Sequence, residues 1–118
     1  VYSNIGNIYR RIGIDSLALK YYQSSLKYDE MSKNSFGIAD DLRSIALVYE
    51  ENNNYQLATD YYLRGLKIYK ALNDTLNIAT ITMDLGYTEQ KQGNYVKALN
   101  YFEQAIALNA KLNNARLW

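Results

Sequence analysis

The chain has 118 residues, of which 48% are apolar, and 13 basic against 12 acidic side chains leave a formal net charge of +1. That length suits about one domain with a continuous core, and the balanced charge offers no long-range attraction for nucleic acid or an anionic membrane. Cysteine and histidine are both absent, which excludes disulfides, thiolate nucleophiles, zinc sites of the usual ligand type and imidazole acid–base chemistry.

Taken in chain order, the apolar residues fall into helical stripes separated by turn residues. Val1 to Arg11 reads as the later part of a helix that ends at Gly13-Ile14-Asp15. A second helix follows with Ala18, Tyr21, Tyr22 and Leu26 on one side and Lys20 and Lys27 on its outer side. Ile38, Leu42, Ile45, Ala46 and Tyr49 then recur at i, i+4, i+7, i+8 and i+11, one stripe of an amphipathic helix. Asn52-Asn53-Asn54 ends it, and the next stripe is Ala58, Tyr61, Tyr62, Gly65, Leu66 and Tyr69. Asn73-Asp74-Thr75 is the following break, with Asp74 or Thr75 suited to cap the next helix. That helix carries Leu85 and Gly86, turns at Gly93-Asn94-Tyr95, and is followed by Ala98, Phe102, Ala105 and Ile106; Asn113-Asn114 reads as a final turn. The absence of proline favours long uninterrupted helices, and no apolar run approaches the roughly 18 residues of a bilayer-spanning helix.

These stripes repeat. Residues 15–54 lie over 55–94 without a gap, with Leu17/Leu57, Ala18/Ala58, Tyr21/Tyr61, Tyr22/Tyr62, Leu26/Leu66, Lys27/Lys67, Ile38/Ile78, Ala39/Ala79 and Asn54/Asn94 identical. A third copy begins with Ala98, Tyr101, Phe102 and Ala105. The units predicted are 1–34 (truncated at its start), 35–74 and 75–114, with a further helix opening at 115–118. Val1 aligns with Asp41 and Trp118 with Ile38 and Ile78, so the chain reads as a piece of a longer array. Exposed apolar flanks near Ile5 and Trp118 would then permit end-to-end self-association.

Two stretches carry a family resemblance. "IGNIYRRIG" (Ile5–Gly13) followed by Ala18, Tyr22 and Leu26, and "DLGYTEQKQGNYVKALNYFEQAIAL" (Asp84–Leu108), resemble tetratricopeptide repeats. The shared features are a Leu-Gly pair, a tyrosine three residues on, a Gly-x-Tyr turn, and then alanine, an aromatic and alanine at helical spacing. The forty-residue period is similar to the long variant of bacterial sensor kinases and regulators and of some eukaryotic scaffold proteins. Departures are the missing tyrosine after Gly13, Glu89 in place of the tyrosine of positions 9 and 49, and the missing closing proline. The resemblance implies an all-α, right-handed superhelical solenoid of antiparallel helix–turn–helix hairpins, with the first helix of each unit lining a concave wall.

On that wall the i, i+4, i+7 sets are Ser3, Asn7, Arg10; Arg43, Leu47, Glu50; and Met83, Tyr87, Gln90. The candidate partner-binding residues are Asn7, Arg10, Arg11, Arg43, Leu47, Glu50, Met83, Tyr87 and Gln90. Leu47, Met83 and Tyr87 are apolar or aromatic where a solvated face would be polar, which makes them either anchors for a peptide or packing between helices. One subclass of the family holds a terminal carboxylate in a clamp of lysine, asparagine and arginine. Of the matching positions Ser3, Asn7, Ser44, Thr80 and Asp84, only Asn7 fits, which argues against a carboxylate-tail ligand. The acidic pairs Asp40-Asp41 and Glu50-Glu51 point about 100° apart on a helix and do not converge unaided. Tyr22, Tyr62 and Phe102 are expected inside the hairpins, and Tyr21, Tyr61 and Tyr101 at the helix junctions with their hydroxyls toward water.

The function expected is a non-enzymatic module that binds a peptide or helical segment of a protein partner. The alternative is the sensory input domain of a bacterial signalling protein, a histidine kinase or transcriptional regulator, responding to a peptide or small ligand. No cofactor, no metal, no nucleic acid and no direct membrane insertion is expected. The sequence does not name the compartment; the two readings correspond to the cytoplasm or, for the input domain of a membrane-bound sensor, the periplasm.

Overall fold

The computed structural model describes residues 1–117, with the side chains of residues 1–113. It is all-α among the described residues: α1 (Tyr2–Arg11), α2 (Asp15–Met31), α3 (Ser35–Glu51), α4 (Tyr55–Ala71), α5 (Thr75–Lys91) and α6 (Tyr95–Leu117). From α2 onward the helices begin twenty residues apart, at Asp15, Ser35, Tyr55, Thr75 and Tyr95.

The regularity comes from how each helix stops. Gly13, Lys33, Asn53, Asn73 and Gly93, also twenty residues apart, have φ of +85°, +56°, +63°, +55° and +81°. Each is the left-handed residue that follows a helix, and each donates its N–H three residues back, as Gly13 does to the Arg10 carbonyl at 3.1 Å. The next residue reaches five back, as in Ile14 to Tyr9 (2.9 Å), Asn34 to Asp29 (2.9 Å), Asn54 to Tyr49 (2.8 Å), Asp74 to Tyr69 (3.1 Å) and Asn94 to Glu89 (2.9 Å). This pair of bonds is the Schellman arrangement, which satisfies the orphan carbonyls of a helix end and reverses the chain. At two junctions a side chain then caps the next helix. Asn34 Oδ1 accepts from the Gly37 N–H (3.1 Å), and Asp74 Oδ1 from the Asn77 N–H (3.2 Å).

Two compact units result, Val1–Gly65 and the stretch from Leu66 onward, dividing inside α4. The sequence predicts boundaries at 34/35, 74/75 and 114/115. In the first unit α2 packs on both α1 and α3. Ala18, Tyr22, Ile45 and Val48 are fully buried there, with Tyr9, Leu19, Leu26, Tyr49 and Tyr61 against them. Tyr9 stacks on Tyr21 and Tyr49 on Tyr61, both with ring centroids 5.6 Å apart. In the second unit α5 packs on α6, and Leu66, Tyr69, Ala79, Ile81, Leu85, Ala98 and Ala105 are buried.

Each unit also contains a place where an aromatic ring lies on helix backbone. A Cβ on Gly6 would sit 2.8 Å from the Tyr22 ring, and one on Gly86 would sit 2.6 Å from Phe102. These contacts require glycine, because real Cβ atoms do not approach that closely.

Two expectations need correction. Asn113-Asn114 is not a turn: α6 runs from Tyr95 to Leu117, so no new helix opens at 115. Asparagine costs a helix only about 0.5 kcal/mol relative to alanine, and its neighbours Ala110, Lys111, Leu112 and Ala115 are helix formers. Trp118 lies outside the described residues. Ile106, placed in the core stripe, is 67% exposed; it is one residue past buried Ala105, so its side chain lies about 100° away around the helix.

The turn account predicts opposite effects at two equivalent positions. Lys33→Gly relieves a left-handed lysine and should stabilise by about 1 kcal/mol. Gly93→Ala should cost about 1 kcal/mol; no neighbour lies within 4 Å of its Cβ, so only backbone strain acts. Urea unfolding of both variants checks this, and equal signs would contradict it.

Candidate functional site

Several candidate residues are held inside their own hairpins. The Tyr22 hydroxyl donates to Asn7 Oδ1 and accepts from Arg10 Nε at 3.3 Å. Arg10 Nη1 also pairs with Glu51 Oε1 at 2.8 Å. Twelve residues separate Arg10 from Tyr22, and the same spacing brings the Tyr62 hydroxyl to Glu50 Oε1 at 3.3 Å, where Glu50 is buried. Asn7, Arg10 and Glu50 therefore serve buried tyrosine hydroxyls, which need partners once taken from water. Arg11 is exposed at the end of α1, and Arg43 and Leu47 are half-buried on α3.

The third set is placed differently. The aromatic of this hairpin is Phe102, which has no hydroxyl to hold. Tyr87 sits edge-on to it, with ring centroids 5.2 Å apart and planes at 70°, and remains 48% exposed. Met83, Tyr87 and Gln90 on α5 come together with Phe102, Ala105 and Ile106 on α6, lining a groove of about 360 Å³. Its walls are chiefly apolar, with the amides of Gln90 and Asn109 at its edges.

A cavity of about 780 Å³ lies in the first unit among α1, α2 and α3. Three carboxylates line it, Asp29 from α2 and Asp40 and Asp41 from α3, and no lysine or arginine does. Asp41 is only 2% exposed. Its Oδ1 accepts from Ser25 Oγ at 2.9 Å, and its Oδ2 is buried without a hydrogen-bond partner. Asp29 is drawn in by the turn at Lys33: Asn34 Nδ2 lies 3.5 Å from Asp29 Oδ1, and a Cβ on Gly37 would meet Asp29 Oδ2 at 2.5 Å. Burial and a hydrogen bond between the protonated Asp41 and the Asp29 carboxyl push Asp41 up to about 8, against the opposing Ser25 hydrogen bond; the charges of Asp29 and Asp40 add to the rise.

Sequence reasoning missed Ser25, Asp29 and Asp41 as a group, because it considered Asp40-Asp41 only as neighbours on one helix. The convergence comes from α2. A signal for it existed in the register: Asp29 and Asp41 align with Tyr69 and Ile81, both buried in the second unit. Among the described residues no group of three or more acidic, histidine or cysteine side chains is arranged to hold a metal, and no helix is long and apolar enough to cross a membrane.

The raised acidity constant has a consequence for stability. The folded chain holds the Asp41 proton up to about pH 8, whereas the unfolded chain releases it near 3.8. Folding therefore binds a proton between those values, and this group's contribution to stability falls as pH rises through that window. The other titratable residues that line the same cavity are Val1, Tyr2 on α1, Tyr28 and Asp29 on α2, and Asp40 on α3. Asp41→Asn should melt increasingly above the parent as pH is raised from 5 to 9; a gap that stays constant or narrows would contradict the assignment.

The tetratricopeptide repeat family matches residues 41–111 and again residues 1–32. No curated protein matches the sequence. Among solved structures, BtubC from P. vanneervenii superposes with a TM-score of 0.84 at 20% identity, over 93% of this chain and 45% of that one, a likeness of fold alone. The apo form of RapI superposes with a TM-score of 0.74 at 28% identity, over 86% of this chain and 38% of that one. The chain thus spans less than half the length of either structure. With helical hairpins throughout and family matches across most of its length, the chain belongs to the tetratricopeptide-repeat family.

Proposed function

We propose that the chain is a non-enzymatic interaction module that binds a peptide or helical segment of a protein partner, with the groove at Met83, Tyr87 and Gln90 as an anchoring site. Tetratricopeptide repeats in general mediate protein interactions. The observation that carries the reading for this chain is the half-exposed Tyr87 ring over an apolar groove. An aromatic wall beside exposed Ile106 suits an aliphatic or aromatic side chain of the partner. Gln90 and Asn109 supply donors and acceptors to orient the partner's backbone. Large amphipathic side chains of this kind carry much of the binding energy where they are found at interfaces.

The test uses peptides selected from a random library on the 118-residue chain. Tyr87→Ala should weaken the selected peptides by about tenfold or more, equivalent to about 1.4 kcal/mol. The variant's melting temperature should stay within a few degrees of the parent, because the ring is only half-buried. Selected peptides that bind Tyr87→Ala and the parent equally would sink this assignment of the groove.

A further inference from the structure

We propose that a second copy of this chain docks its α1 on the exposed face of α6, repeating between two molecules the contact that α2 and α3 make inside one. The contact lies beside the Tyr87 groove, and its case does not rest on that groove.

The register identifies the first face. Counted by the forty-residue period, Leu99, Phe102 and Ile106 of α6 stand where α2 has Leu19, Tyr22 and Leu26. In the first unit α3 packs on α2. Tyr22 is buried there with Ile45 and Val48 of α3, and Leu19 and Leu26 pack against them. The α6 counterparts are open: Leu99 is 59% exposed, Ile106 is exposed too, and Phe102 is only half-buried. α6 thus repeats the apolar surface of α2 and leaves it in water.

α1 carries the other half. Tyr2, Ile5 and Ile8 stand where α3 has Leu42, Ile45 and Val48, all three buried. Ile8 is 60% exposed, Tyr2 is exposed, and Ile5 is half-buried. Single exposed apolar residues are ordinary on a protein surface. These instead occupy, one for one, both sides of a contact that the same chain already makes in its interior.

The internal contact also sets the alignment. The Ser25 hydroxyl donates to Asp41 Oδ1 at 2.9 Å across two antiparallel helices. Seven residues on along α3 and seven back along α2, Val48 falls opposite Ala18, and both lie in one buried cluster. The same alignment brings Ile8 of the second copy opposite Ala98. There Tyr95, Ala98, Leu99, Phe102 and Gln90 line a hollow of about 240 Å³, whose largely apolar walls suit an isoleucine side chain. In the first unit a cavity stays open at Ser3, Asn7, Ser25 and Asp29 with α3 in place. Those are the positions of Met83, Tyr87, Ala105 and Asn109, so docking leaves the Tyr87 groove open. Different faces of the two copies meet, which makes the contact heterologous.

The test is sedimentation equilibrium of the 118-residue chain from about 10 µM to about 1 mM, the range of weak and transient contacts. The parent's average mass should rise above the monomer's with concentration. Ile8→Glu spoils only the α1 face and Leu99→Glu only the α6 face, each by placing an unpaired carboxylate in an apolar contact. Each should weaken self-association by at least about tenfold. An equimolar mixture of the two should regain association and stop at a dimer, because one intact pair of faces remains. Ile8→Ser and Leu99→Ser, which add no charge, should act in the same direction. Both positions are exposed, so melting temperatures should stay within a few degrees of the parent, which separates lost docking from lost folding. A parent that stays monomeric throughout, self-association retained in either glutamate variant, or a mixture no more associated than its components would overturn the proposal.

Discussion

The left-handed residue that ends each of α1 to α5 is the constraint on which the other features depend. Gly13, Lys33, Asn53, Asn73 and Gly93 recur every twenty residues, each followed by the same reach of five residues back along the helix. A stop at that interval fixes the length of the helices between, and so fixes which side chains of neighbouring helices meet. Tyr22 comes to rest on the backbone of Gly6, and Phe102 on that of Gly86. The lysine at 33 holds a conformation that L-residues avoid, which shows how strongly the rest of the frame specifies the turn.

Within this frame, the hairpins differ by small changes at equivalent positions. The Tyr22 hydroxyl occupies Asn7 and Arg10, and the Tyr62 hydroxyl occupies Glu50. Phe102 has none, and there Tyr87 turns edge-on to the ring and keeps half its surface in water. The interior tyrosines of the earlier hairpins thus engage groups that the sequence would assign to a partner, while the third hairpin leaves an apolar groove. At the Lys33 turn, Asn34 and Gly37 close over Asp29 and bring its carboxylate to the cavity that Asp41 also lines.

Much of the fold was legible in the sequence. The stripes through Leu42, Ile45 and Ala46, and through Ala58 and Tyr62, are buried as their spacing implies, because helical periodicity reports directly on burial. Tyr21 and Tyr61 are half-buried and stacked on Tyr9 and Tyr49. What escaped was of two kinds. Asn113-Asn114 resembles the other asparagine turns in composition, but composition cannot say whether the chain reverses, and here the helix continues. The roles of Asn7, Arg10 and Glu50 escaped because helix-surface geometry does not show that a tyrosine hydroxyl from the next helix will arrive beside them. The acidic cavity escaped for the same reason, since Asp29 and Asp41 lie on different helices. Only their alignment with Tyr69 and Ile81 marked them as polar residues at core positions.

The central claim is that Asp41 is a buried carboxyl held against the Asp29 carboxyl at the cavity of the first unit. Carboxyl-carbon NMR titration of the aspartates in the ligand-free chain tests it most directly. The account predicts that Asp41 titrates near pH 8. A midpoint for Asp41 in the ordinary carboxyl range, about 4, would contradict it.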